Sequence, residues 1–173
     1  SASISMRTYR NNAAVSSRSV NVPANSRQVF DSTEFPTGAP AFLTLESNQP
    51  IWAQVEFGTD TTRACLPAEA LHAVGRVLVL PHVAEGASWR TQVVLANTDT
   101  NAAHLTARYY GENGALLADE IFDVLSGRIL VTDVWSLFGL NEPTDLRTGW
   151  IEVTGDTNRV HGAVVFSGEE DAV

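Results

Sequence analysis

The chain has 173 residues, 44% hydrophobic and 18% charged, a globular composition with enough length to bury a core. Its 20 acidic against 11 basic residues give a formal charge of −9, and the arginines are scattered, which argues against nucleic acid as a partner. No run approaches the roughly 18 consecutive apolar residues of a membrane-spanning helix, so no membrane span is expected.

Ile4 to Tyr9 alternates in the period-two manner of a half-buried strand. A turn at Arg10-Asn11-Asn12-Ala13 leads to expected strands over Ser16–Val22 and Gln28–Phe30. Asp31-Ser32-Thr33-Glu34 has the spacing of a capping box and predicts a short helical turn. Strands over Phe42–Leu45 and Ile51–Phe57 follow. Pro67 to Val74, with Gly75 after it, reads as a short helix with Pro in its first turn and Gly at its end, inside a connector over 59–76.

Val77 to Pro81 is a continuous apolar strand, and a turn around Gly86 separates it from a second buried strand over Thr91–Asn97. Leu105–Tyr110 alternates again and ends in Gly111-Glu112-Asn113-Gly114, a hairpin turn whose Asn and Gly tolerate positive φ. Strands over Ala118–Val124 and Arg128–Val131, a helical stretch at Asp133–Phe138, and strands over Trp150–Val153 and Val160–Phe166 complete the pattern. Residues 169–173 read as a solvated acidic tail, with weak calcium binding as the sharper alternative.

The two halves repeat one another. Ile4–Tyr9 matches Leu105–Tyr110, and the same offset pairs Asn12 with Asn113, Val15 with Leu116, Val20 with Ile121, Arg27 with Arg128 and Val29 with Leu130. After a longer loop, Phe42–Leu45 matches Trp150–Val153 and Ile51–Phe57 matches Val160–Phe166. Short strands at regular spacing predict an all-β fold: two related Ig-like β-sandwich units in tandem, over 1–58 and 77–168, the first lacking its opening strands. Nothing in the first copy corresponds to Val77–Asn97. The resulting opening must be covered by strands of another subunit, by more of a longer array, or by strands shared between the halves. The candidate exchanged strands are residues 1–9, with Ile4, Met6 and Tyr9, and the 77–97 hairpin, with Val77, Val79, Val93 and Leu95.

The second unit carries Leu80-Pro81-His82, Trp89-Arg90-Thr91-Gln92-Val93-Val94-Leu95-Ala96-Asn97, Tyr109-Tyr110-Gly111-Glu112-Asn113-Gly114 and Gly149-Trp150-Ile151-Glu152-Val153. In this it resembles the tandem β-sandwich repeats of large secreted bacterial surface proteins, well over 77–168 and partly over 1–58. The resemblance implies an exterior location and a structural or adhesive role without catalytic residues. A start at Ser1 fits either a mature chain after signal removal or a piece of a longer protein.

Motifs for chemistry are missing from the sequence. There is no nucleophile elbow and no phosphate-binding glycine loop, and all basic residues are Arg, which removes lysine-based chemistry. His72, His82, His104 and His161 lack metal-ligand spacing, and neither a cofactor nor a metal is expected. Asp119 and Glu120 are neighbours on a strand and point to opposite faces, so they cannot flank one bond. Cys65, in Ala64-Cys65-Leu66, reads as a small buried hydrophobe. Trp52 and Trp150 fall on expected strands and read as core, leaving Trp89 and Trp135 as the candidates for ligand contact. Two functions compete: a homopolymeric subunit of an extracellular bacterial filament or surface layer joined by strand complementation, and an adhesion module that binds a cell-surface glycan or protein.

Overall fold

A computed structural model describes residues 1–10, 13–35, 42–58, 63–68 and 76–168. The chain divides into two compact units, Ser1–Ala70 and Leu71–Val173. Among the described residues, nearly all regular structure is antiparallel β, as the alternating pattern requires.

In the first unit β1 (Ala2–Arg10) lies between β2 (Ala13–Val22) and β3 (Phe42–Ser47). Alternate residues Ile4, Met6 and Thr8 are buried, while Arg7 and Tyr9 belong to the other face. The expected capping box forms a single 3₁₀ turn over Ser32–Glu34. There the Thr33 N–H donates to Asp31 Oδ1 and the Asp31 N–H donates back to Glu34 Oε1, both at 2.9 Å. The Glu34 carboxylate also pairs with Arg18. β4 (Gln54–Gly58) pairs with β5 (Arg63–Pro67), a strand that the sequence reading placed in the connector. The rest of the expected connector helix and the acidic tail lie outside the described residues.

In the second unit two antiparallel sheets face each other across one apolar core, a sandwich-like arrangement. One sheet runs β6 (Val77–Glu85), β11 (Arg147–Gly155), β8 (Ala103–Gly111), β9 (Leu116–Val124). The other runs β10 (Ile129–Asp133), β7 (Trp89–Asn97), β12 (Val160–Gly168). Leu80, Leu105, Ile151 and Val153 from the first sheet meet Val93, Leu95 and Val160 from the second. A one-turn helix α1 (Val134–Leu137) bridges the crossing from β10 towards β11, burying Val134. β6 runs past Pro81 to Glu85, farther than the sequence reading took it. As an edge strand with a register irregularity against Gly149/Ile151, it tolerates a proline that an inner strand would not.

The three-stranded sheet of the first unit has the order β2-β1-β3, and its sequence equivalents in the second have the order β9-β8-β11. Registers agree as well: Ile4 faces Ser47 and Tyr9 faces Phe42, as Leu105 faces Gly155 and Tyr110 faces Trp150. Both hairpins carry an irregularity at the same place, between Thr8 and Tyr9 and between Tyr109 and Tyr110. The second hairpin is one residue longer. Val20, opposite Ile4, therefore corresponds to Phe122, opposite Leu105, and not to Ile121; Ala14 rather than Val15 corresponds to Leu116.

Gln28–Phe30, the equivalent of β10, forms no strand. The reason is topological. β10 and β12 both pair with β7, and among the described residues of the first unit no strand takes the place of β7 to carry their ladders. β4, the equivalent of β12, pairs with β5 instead.

Candidate assembly surface

Side chains that the internal repeat makes equivalent differ in exposure between the two units. On β3, Leu43 and Leu45 face Thr8 and Met6 in the ladder and so belong to the buried face of the sheet. Leu43 is nevertheless 38% exposed, whereas its counterpart Ile151 is 0% exposed. Leu45 is half-buried and its counterpart Val153 is buried. Ile51 is 39% exposed against 3% for Val160. Val29 and Val55 are exposed, and their counterparts Leu130 and Val164 pack on the core.

The difference follows from neighbours. β11 has β6 on its outer side, while β3 has β1 on one side and no ladder on the other among the described residues. An unpaired edge bordered by bared Leu43 and Leu45 offers main-chain hydrogen bonds and apolar area together, the two things that strand addition uses.

The candidate exchanged strands sit inside their own sheets. Ile4, Met6 and Tyr9 are on β1, which is already paired on both sides. Val93 and Leu95 are fully buried on β7, also paired on both sides. Val77 and Val79 are exposed on the edge strand β6.

The tryptophans divide differently from the sequence reading. Trp52 is 76% exposed, and among the described residues no β7-like strand pairs with its segment. Trp150 lies on the sheet face opposite to buried Ile151, half-buried and stacked on Tyr110. Trp89, at the start of β7, is about half exposed. Trp135, in α1, is half-buried and lines a small cavity with Glu85, Tyr109 and Arg147. Cys65 is exposed, on a strand that pairs with β4 alone among the described residues. Among the described residues, no group of His, Cys, Asp and Glu side chains is placed to hold a metal ion, and no helix is long and apolar enough to cross a membrane.

Sequence reasoning points to a hairpin without a counterpart in the first copy, but not to the residues of β3 that are exposed. Leu43 and Leu45 were visible only as equivalents of Ile151 and Val153. The signal was that their strand kept its apolar alternation while its covering partners were gone.

No family model matches the chain, and neither do any of the curated proteins or solved structures compared with it.

Proposed function

We propose that the chain is a non-catalytic structural subunit of an extracellular bacterial filament or surface assembly. Its units are Ig-like sandwiches in tandem, and the first is completed by a β-strand from a neighbouring molecule added along β3. The observation that carries this reading is the contrast between Leu43 on β3 and Ile151 on β11, which hold equivalent face and register positions but are 38% and 0% exposed. Covering the remaining surface of Leu43, Leu45 and Ile51 with an added strand would stabilise the contact by about 0.5–1 kcal/mol each, the corresponding share of full burial. A donor strand that leaves its own edge free for the next molecule does not close on itself and extends a fibre.

Electron microscopy of the undenatured protein tests the reading, with Leu43→Glu as the matched variant. Ordered fibres from the wild type and dispersed, folded particles from Leu43→Glu are the expected pair. Assembly should survive high salt, because its force is not ionic. Wild-type protein that stays monomeric at high concentration, or fibres that tolerate Leu43→Glu, would rule out addition at β3.

A further inference from the structure

Successive residues of a strand turn their main-chain groups to opposite edges, so a single hydrogen bond shows which residues serve which edge. In the first unit the Asn48 N–H donates to the Ser3 carbonyl at 3.3 Å, so Asn48, Glu46 and Thr44 turn to β1. Leu43 and Leu45 therefore turn to the unpaired edge of β3, with their side chains on the interior face. In the second unit the Gly155 N–H donates to the Arg76 carbonyl at 3.0 Å, so Arg76, Leu78 and Leu80 turn to β11. Val77 and Val79 turn to the free edge of β6. Their side chains stand on the outer face, opposite to that of buried Leu80, and are a little over half exposed.

Antiparallel residues that exchange main-chain hydrogen bonds carry their side chains on the same face. A β6 laid antiparallel on β3 by its free edge thus brings its outer face to the interior side of the first unit. The register that sets Leu43 opposite Val79 also sets Leu45 opposite Val77, two incompletely covered leucines against two exposed valines. On the other face it sets Glu46 opposite Arg76, opposite charges that are both exposed. Pro81, the next residue directed to that edge, has no N–H, and the ladder ends there. Other edges fit less well. β9 would set Asp119 or Asp123 against a leucine, and β2 would set Ser17 or Ser19 there. On β10, Ile129 is already half-buried.

We propose that β6 of a second copy is the strand that completes the first unit, paired antiparallel to β3 over residues 76–80. This rests on the reading of β3 as an acceptor edge and supplies its donor. β6 keeps its pairing with β11, so the second unit gives up none of its core. β3 and β6 are different edges, each used once per copy, and the contact repeats head to tail instead of closing as a two-fold dimer.

Analytical ultracentrifugation of Leu43→Glu and Val79→Glu, separately and mixed, tests the pairing. Leu43→Glu spoils the acceptor and Val79→Glu the donor, so each by itself should stay monomeric. An equimolar mixture should give a one-to-one dimer and nothing larger, because only β6 of the first and β3 of the second remain intact. Val79→Glu that assembles like the wild type, while Leu43→Glu does not, would overturn β6 as the donor and leave addition at β3 standing. A mixture that stays monomeric overturns the donor as well. Assembly that neither substitution affects, or a wild type that never assembles, removes the acceptor reading and the donor together. Val77→Glu and Leu45→Glu give the same decision should either first choice fail to fold.

Discussion

The ring of Tyr110 lies on that of Trp150, centroids 4.3 Å apart and planes 15° from parallel, and Tyr9 meets Phe42 in the same way at 5.2 Å and 12°. Both pairs stand opposite each other in equivalent ladders, on the sheet face that does not build the core. Arg108 donates to Glu152 at 2.9 Å on that face of the second unit, and Arg7 to Glu46 at 3.3 Å in the first. Cross-strand stacking of this kind adds about 0.5–1.5 kcal/mol beyond the area that it buries. A double-mutant cycle of Tyr110→Ala and Trp150→Ala, followed by urea unfolding, should give a coupling energy in that range. Additive effects of the two substitutions would show that each ring is held by other neighbours.

Gly149 precedes Trp150 where the β6–β11 register shifts. A Cβ built there would stand 2.1 Å from the Tyr110 carbonyl oxygen and 2.9 Å from Tyr109 Cε2. The carbonyl belongs to a paired strand and cannot withdraw. Gly149→Ala should therefore destabilise the second unit by about 1–3 kcal/mol or more. Gly114→Ala is the control: its φ is +77° with nothing within 4 Å of the added carbon, so only backbone strain of about 1 kcal/mol is expected. Equal losses in thermal unfolding would contradict the assignment of Gly149 to close approach.

Asn97, fully buried at the end of β7, spans three segments. Its Nδ2 donates to the Asn101 and Val124 carbonyls at 2.8 Å, and its Oδ1 accepts the Asp99 N–H at 2.8 Å. Asn97→Ala strands a buried Val124 carbonyl, and a loss of about 2–3 kcal/mol is expected. Asn97→Asp keeps the acceptor but faces two carbonyls with a carboxylate, and should be at least as costly near neutral pH. Chemical denaturation of both variants checks the order.

Stability of the second unit should rise as the solution is acidified from about pH 8 to pH 5. Hydrogen bonding to Asp123, then its charge and that of Asp156, hold the exposed His104 imidazole above its ordinary 6.5. Burial first, and Asp133 after it, hold Glu85 above 4.5. Both groups bind their proton more tightly folded than unfolded. Each contribution is complete below the unfolded value and is lost as pH rises through the higher folded value. Asp99 works the other way: the Thr157 hydroxyl is the main cause holding it below 3.8, so its contribution is lost only as pH falls through that lower value. His104→Gln should remove the part of the dependence nearest neutrality, and Glu85→Gln the more acidic part. Urea midpoints that slope across the range in the wild type, and lose the slope only in the neutral part in His104→Gln and only in the acidic part in Glu85→Gln, are the expected result.

The strands were legible because alternation survives in sequence: β1, β7, β8 and β12 each begin or end within two residues of their expected bounds at one end or both. The capping box at Asp31–Glu34 was legible for a similar reason, since its chemistry is local. What could not be read was set by distant partners. Gln28–Phe30 has the apolar content of a strand but no ladder to join. Trp52 and Cys65 have core-like neighbours in sequence yet are exposed, because burial depends on a second layer, and the described residues of their unit form none over them. The cavity was equally hidden. Glu85, Tyr109 and Trp135 are far apart in sequence, and only the crossing from β10 to β11 brings them together.

The order β10-β7-β12 also has a consequence for how the chain is made. β8 and β9 are consecutive and joined by a tight turn, so they can pair soon after they leave the ribosome. β7 is synthesised before either of its neighbours, and β12 follows every other strand of the unit. Until Val160–Gly168 emerges, one flank of β7, with Val93 and Leu95 beside it, has no intramolecular partner. A nascent chain thus passes through a state in which this strand is itself an open template, and only β12 closes it.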